Sequence, residues 1–458
     1  MRAFARQMIE RMKAVAAAGA VAAFWLAVWV FVAALVAQPL ILPGPGAVVV
    51  ALLRLVCDAG TWAILAGSGA RILGGLALAA VCGVVMAGAS VRSLTFARLV
   101  APALSFVKAT PVACVVVLLL IWLGSARVSI AAVFLMALPG VYFSLVEGLT
   151  QVDQSLEQMF HLHGVRGWRL FCAHTWREVL PFVLSCARAV IGMSWKAGVA
   201  AELIGMATGT VGERIYQAKL LIETADLLAW TVLVVAASWA CERVLVWLLR
   251  ASGPVAWRTA VRAHGHGLRG RTGAASDGAA AELALAVGDR APWAPALDGL
   301  VLHVPAGGRT CVMGASGVGK STLLALAAGE CAPCSMVFQD VRLVEDASAL
   351  DNVLVCADAR VDASSAAALL RLLAPGIDVH ARVAELSGGQ RRRVEIARAL
   401  LCPGGAVILD EPFTGLDIAA RDACAEVVLD LLDGRMLLLA THDAVDAQAL
   451  NISDIITL

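Results

Sequence analysis

The segment Gly314-Ala-Ser316-Gly317-Val-Gly319-Lys320-Ser321-Thr322 carries the residue types needed to hold a polyphosphate. Its glycines let backbone N–H groups turn inward onto phosphate oxygens. Lys320 reaches the outer phosphates, and Ser321 offers a hydroxyl to Mg²⁺. Farther along, Ala406-Val-Ile-Leu-Asp410-Glu411 closes an apolar run with two adjacent acids. Asp410 is placed to complete the Mg²⁺ shell, and Glu411 to polarise an attacking water. The chemistry indicated is transfer of a phosphoryl group to water.

These residues need particular elements around them. Strand-like runs at 301–304 and 309–313 lead into the phosphate loop, and an apolar helix with Leu323, Leu324 and Leu326 follows. That helix adds the partial positive charge of its N-terminus. Residues 406–410 read as a parallel strand covered on both faces, because their apolar run is continuous. Residues 281–458 therefore form an α/β domain. A bare glycine-rich turn, or two acids on a solvated surface, are the plain alternatives. The Lys-Ser-Thr run and both flanking elements weigh against them.

The rest of the chain is of another kind. Of 458 residues, 60% are hydrophobic and only 16% charged, and the mean hydropathy is +0.82. So few polar side chains cannot cover a soluble enzyme of this size. The net charge of +1 gives no pull toward nucleic acid. Six apolar stretches, near 14–37, 68–90, 104–124, 128–148, 180–204 and 228–249, are long enough to cross a bilayer. The first follows Arg2, Arg6, Arg11 and Lys13; it exceeds a signal-peptide core, so a retained anchor is expected over cleavage near Ala37. With the N-terminus in the cytosol, Arg92, Arg98, Arg166, Arg169 and Arg177 fall in inner loops, and both termini are cytosolic. Arg71, Lys108, Arg188, Lys196 and Glu202 lie in or near the spans, and helix–helix pairing or snorkelling is the plain reading of each. The twelve scattered cysteines suit free thiols in a reducing compartment, and Cys331-x-x-Cys334 lacks the second ligand pair that a metal site needs. The expected organisation is a transmembrane domain at 1–250, a Gly/Ala/Arg-rich linker at 251–280 and the α/β domain at 281–458.

The motifs of the second half extend further. Leu386-Ser387-Gly388-Gly389-Gln390, followed by Arg-Arg-Arg-Val-Glu-Ile-Ala-Arg-Ala-Leu, resembles the signature of ABC-type ATPases. Gln339 in Val-Phe-Gln-Asp, Asp417 in Gly-Leu-Asp, and His442 in Ala-Thr-His-Asp appear in the family's order. The resemblance implies an α/β P-loop ATPase domain of ABC type, with ATP and Mg²⁺ as cofactors. It implies that ATP sits between two such domains, held by Gly314, Ser316, Gly317, Gly319, Lys320, Ser321 and Thr322 of one. Ser387, Gly388, Gly389 and Gln390 of the other would cap the γ-phosphate. It further implies that Glu411 and His442 are catalytic, that Gln339 senses Mg²⁺ beside Ser321 and Asp410, and that Trp293 stacks on adenine. The interval of 19 positions from Lys320 to Gln339 is short for the family, which implies a missing hairpin of the side sheet.

Residues 38–250 resemble the permease subunits of bacterial binding-protein-dependent importers of the nitrate, sulfonate and taurine group. The likeness rests on Leu42-Pro43-Gly-Pro-Gly, Ser68-Gly-Ala-Arg71, Lys108-Ala-Thr-Pro111, Glu147 to Asp153 and Glu178-Val-Leu-Pro181. In that family a cytosolic loop carries a short coupling helix; the matching stretch is Gln158-Met-Phe-His-Leu-His-Gly164. His161 and His163 alternate along it and point to different faces, which argues against a shared metal site. The expected fold is an all-α transmembrane domain of about six helices followed by the ATPase domain. The expected function is ATP-driven import of a small solute across the bacterial inner membrane, with a second copy of the chain and a separate extracytoplasmic binding protein as partners. The outer loops are too short to enclose a ligand, which takes roughly 100 residues or more. An exporter half-transporter shares the layout, but its inner loops are usually longer; an ATP-binding sensor would not need Glu411 and His442. The substrate is not legible.

Overall fold

The computed structural model of the protein describes residues 2–262, 282–287 and 297–458. Two units divide the chain: Met1–Gln151 with Val179–Ala251, and Val152–Glu178 with Ser252–Leu458. The first is helical, with α1 (Arg2–Val36), α2 (Pro45–Cys57), α3 (Ala59–Arg92), α4 (Leu94–Ala109), α5 (Val112–Leu123) and α6 (Ser125–Thr150). Helices α7 (Gln154–Leu162) and α8 (Gly167–Leu170) belong to the second unit, after which α9 (Trp176–Gly205), α10 (Val211–Leu220) and α11 (Thr224–Arg262) follow.

Five described helical stretches are long and apolar enough to cross a membrane: Gly19–Val36, α3, α6, the run Gly167–Gly205 and α11. The expected span at 104–124 is different. It is the pair α4 and α5, bent by 103° at Thr110–Pro111, so the sixth span exists only if the bent pair counts as one. Pro111 has no N–H to continue the ladder and drives the preceding residue out of helical geometry. Thr110 is accordingly extended, with ψ 129°.

Inside this unit α3, α6 and α9 meet closely. A Cβ on Gly198 would lie 2.5 Å from Ile72 and 3.1 Å from Val133, so only glycine admits that contact. Leu65, Ile72, Val133, Ile191, Trp195 and Trp230 fill the space around it. Glu202 is fully buried here, accepting from Ser68 Oγ at 2.8 Å and Arg71 Nε at 3.1 Å. Arg71 and Glu202 are thus a pair between helices. Phe24, Trp25, Phe31, Val85, Ile121 and Trp122 point outward, a surface suited to lipid.

The second unit holds an antiparallel pair, β1 (Leu283–Ala286) and β2 (Val301–Val304), and a parallel five-stranded sheet. The sheet strands are β3 (Arg309–Met313), β4 (Ser335–Val337), β5 (Ala406–Asp410), β6 (Met436–Thr441) and β7 (Asp454–Thr457), in the order β4-β5-β6-β3-β7. Helices α12 (Lys320–Glu330), α13 (Ala349–Leu354), α14 (Ala363–Leu373), α15 (Gly388–Leu401), α16 (Ile418–Asp430) and α17 (Ala444–Ala449) connect them. Every residue of β5 and β6 is buried, as their unbroken apolar runs require. The register sets Asp410 beside Ala440 and Met313 beside Thr441, which gathers three strand ends at one edge. Composition places a linker at 251, yet the backbone stays helical to Arg262; residues 263–281 lie outside the described part. All twelve cysteines are free, and burial pushes the Cys334 thiol up to about 12, which removes it from thiolate chemistry.

Candidate functional site at the sheet's carboxyl edge

Ligands of open parallel sheets bind beyond the carboxyl ends of the strands. Beyond β3 the chain turns through the phosphate loop into α12. Gly319 has φ 111°, a conformation a side chain would oppose, and it starts the helix whose N–H groups face the loop. Lys320 is buried, and its Nζ donates to the carbonyls of Gly314 at 2.8 Å and Ala315 at 3.0 Å. This arches the ammonium back over the loop containing Ser316 and Gly317. Ser321 and Thr322 occupy the first turn of α12.

Three expected metal-side groups come together. Ser321 Oγ donates to Gln339 Oε1 at 3.5 Å, and the same hydroxyl lies beside the carboxylate of Asp410. Burial raises the Asp410 pKa, while the Ser321 hydroxyl acts in the opposite direction. Among the described residues no three His, Cys, Asp or Glu side chains cluster to hold an ion. The donor set of one carboxylate, one hydroxyl and one amide oxygen would fit Mg²⁺, a hard cation that favours oxygen ligands.

Beside it, Glu411 Oε1 lies 3.1 Å from His442 Nδ1. Glu411 adopts φ 46°, and its N–H donates to Ala440 O at 2.9 Å, so the backbone turns sharply as it leaves β5. Such strain in a non-glycine residue is held only by the structure around it.

The signature residues are placed elsewhere. Ser387 caps α15, accepting from Gln390 N at 3.3 Å, and Gln390 Oε1 accepts from Ser387 N at 3.0 Å. Gly388, exposed, and Gly389, half-buried beside Leu416, form the first turn. Asp417 caps α16 by accepting from Ala420 N at 2.8 Å. Among the described residues no hydrogen bond or ion pair joins Ser387–Gln390 to the phosphate loop. Trp293 lies outside the described residues.

The group that fixes these loops is not among the expected site residues. Arg392, fully buried on α15, donates to Phe338 O, to Gln339 O at 3.3 Å, to Asp410 O at 3.3 Å and to Glu411 O at 2.7 Å. Glu395 receives Arg392 at 2.9 Å, Arg398 at 3.5 Å and the N–H of Arg342 at 2.6 Å. Arg398 in turn donates to Arg342 O at 2.6 Å. The signal was available: charges at 392, 395 and 398 repeat every third residue on a helix otherwise rich in buried apolar side chains.

Residues 152–178 join the same unit. Leu162 O accepts the N–H of Cys334 at 3.0 Å, and His163 Nε2 accepts that of Met336 at 3.1 Å. The segment therefore satisfies the open edge of β4. Burial, reinforced by the nearby Arg398 charge, lowers the His163 pKa to about 3, so the ring is neutral and able to accept. His161 points away and sits 3.8 Å from Glu157. Arg342 Nη1 donates to Ser155 O at 3.1 Å, and Arg169 Nη2 to Val355 O at 2.6 Å.

Comparisons with known proteins add the following. A family model described as ABC transporter matches residues 297–414. One described as binding-protein-dependent transport system inner membrane component matches residues 79–255. The aliphatic sulfonates import ATP-binding protein SsuB of Escherichia coli strain K12 is 38% identical over 177 residues, 34% of this chain and 68% of the relative. The protein of the same description from Rhizobium johnstonii is 37% identical over 175 residues, 33% of this chain and 64% of the relative. The chain thus spans about two thirds of the length of these relatives. The dimeric post-hydrolysis structure of the ATP-binding cassette MJ0796 bound to ADP and Pi is 24% identical, with a TM-score of 0.32 over 36% of this chain and 86% of that one.

Two outcomes follow from this geometry. Arg392→Ala should lower ATP turnover and the unfolding temperature together, because it leaves Glu395 and several carbonyls short of a donor. For a buried ion pair the loss is about 3 kcal/mol, and calorimetry alongside a phosphate-release assay reads both. For His163 the folded pKa of about 3 lies below the ordinary 6.5, so the unfolded chain binds the extra proton. Its contribution is complete above pH 6.5 and is lost toward pH 3, by up to about 1.4 kcal/mol per pH unit. Melting curves from pH 7.5 to about 5.5 should fall less steeply for His163→Gln than for the unchanged protein.

Proposed function

This chain belongs to the ABC transporter family, and on that premise we propose that it is an ATP-driven importer of a small solute. It would work as a dimer across the bacterial inner membrane, supplied by a separate extracytoplasmic binding protein. The observation that carries the reading is the packing of segment 152–178 within the same unit as the ATPase sheet. The segment 152–178, which continues the permease-like sequence, is hydrogen-bonded to the edge strand β4 two residues before Gln339. The relatives named for aliphatic sulfonate import support the inward direction.

The chain's own groups define the chemistry. Lys320 and the first turn of α12 bind and orient the phosphates. Ser321, Gln339 and Asp410 would hold Mg²⁺, which supplies charge neutralisation at the transferred phosphoryl group. Glu411 accepts a hydrogen bond from the attacking water, and His442, 3.1 Å away, fixes the direction of that carboxylate. Ser387 and Gly389 stand apart from this edge and would complete the site of a second copy, with donors directed at the developing charge. Each chain then holds two half-sites. Closing the pair would draw on Gln339, whose loop reaches the membrane-linked segment through Arg342 and Ser155.

Purified chain in liposomes, with ATPase activity and uptake measured with and without the binding protein, tests the direction. Uptake that requires the binding protein supports import, whereas outward movement of substrate would favour an exporter. Glu411→Gln should reduce hydrolysis at least ~10²-fold while ATP stays bound; near-normal turnover would remove Glu411 from its role. Mixed dimers of Lys320→Ala and Ser387→Arg chains contain one intact site and should regain part of the activity that either homodimer lacks. Verified mixed dimers without recovery would exclude sites shared between chains.

A further inference from the structure

Helix α9 has two unlike faces. One buries Val190, Ile191, Ser194, Trp195, Ala197 and Glu202 within the first unit. The other presents Arg188, Gly192 and Lys196, spaced i, i+4, i+8 and therefore aligned along one side. Both cations are exposed, and among the described residues neither forms a salt bridge or side-chain hydrogen bond. This separates them from Arg71, whose charge is answered by Glu202. A Cβ built on Gly192 meets nothing within 4 Å, so the helix surface between the two cations opens onto free space.

Their depth excludes the ordinary use of such residues. Arg188 and Lys196 each lie eight residues from the nearer end of the apolar stretch 180–204, or about 12 Å along the axis. That is farther than either side chain extends, so neither head group reaches the interface by snorkelling. An unpaired cation at that depth belongs beside water, an anion or a partner surface.

We propose that Arg188, Gly192 and Lys196 form a cradle for a small oxyanion, on a face that lines the solute path between two copies of the chain. The proposal rests on the importer reading and deepens it by naming the residues that would meet the solute and the negative charge that they would select. The two cations attract the anion one helical turn above and below Gly192, whose missing side chain leaves the anion room.

The test uses the full chain in phosphatidylcholine vesicles, in a background lacking native cysteines, with Gly192→Cys as the reporter and Ala189→Cys as a second one. Negatively charged methanethiosulfonate ethylsulfonate should react at least ~tenfold faster than its positively charged trimethylammonium analogue, as expected in a water-filled cleft of one sign. Arg188→Gln with Lys196→Gln should abolish that preference, and added ethanesulfonate should slow the reaction. Equal rates for the two reagents, or no reaction at either reporter, would overturn the cradle. Protection by phosphatidylglycerol but not by ethanesulfonate would assign the cations to lipid headgroups and overturn it as well. ATP hydrolysis measured on the same vesicles separates the two levels. Labelling that fails while hydrolysis and binding-protein-dependent uptake persist rejects the cradle alone, and loss of that uptake with the anion preference intact rejects the importer reading.

Discussion

Arg392 holds together parts of the ATPase domain that lie far apart in sequence. Its guanidinium binds carbonyls of Phe338 and Gln339 on one side and of Asp410 and Glu411 on the other, while Glu395 neutralises it from one turn away. Burying these charges is costly, and only complete pairing compensates the lost hydration. Arg398 and the backbone of Arg342 complete the set around Glu395. The loop that carries Gln339 and the strand end that carries Asp410 and Glu411 are therefore fixed to one helix. That helix is capped by Ser387 and begins at Gly388, so the signature residues stand on the same rigid support.

The same network reaches the membrane-linked segment. Arg342 gives its N–H to Glu395, its carbonyl to Arg398 and its guanidinium to Ser155 O, so it touches the catalytic support and the segment 152–178 at once. A second attachment runs through β4, where Leu162 and His163 receive the N–H groups of Cys334 and Met336. The short interval between Lys320 and Gln339 matters here. Helix α12 passes almost directly into β4, and the outer side of this edge strand is taken by the 152–178 segment. A shift of either partner must break or carry these hydrogen bonds, and their burial makes carrying them the cheaper course.

In the helical unit the governing constraint is different. Helices in lipid gain little from apolar burial and depend on close contact and on satisfied polar groups. Gly198 supplies the first by letting α9 approach Ile72 and Val133. Ser68, Arg71 and Glu202 supply the second, with the N–H of Val211 donating to Ser68 at 3.0 Å so that the start of α10 joins the cluster.

The sequence by itself determined the phosphate loop, the acids at the end of β5, the signature, His442 and the presence of long apolar helices. Each rests on a pattern that tolerates few residue types: glycines in a turn that leads a strand into a helix, paired acids that close an apolar strand, and some twenty apolar residues in a row. Tertiary structure decided which charges are answered. Arg71 and Arg188 look alike in the sequence, yet one meets Glu202 and the other faces open space, because partners over a hundred positions apart are chosen by helix packing. It also decided that residues 104–124 bend at Pro111, that α11 continues to Arg262, and that His163 accepts from a distant strand while His161 faces outward. These outcomes depend on burial and long-range pairing, which local residue patterns do not encode.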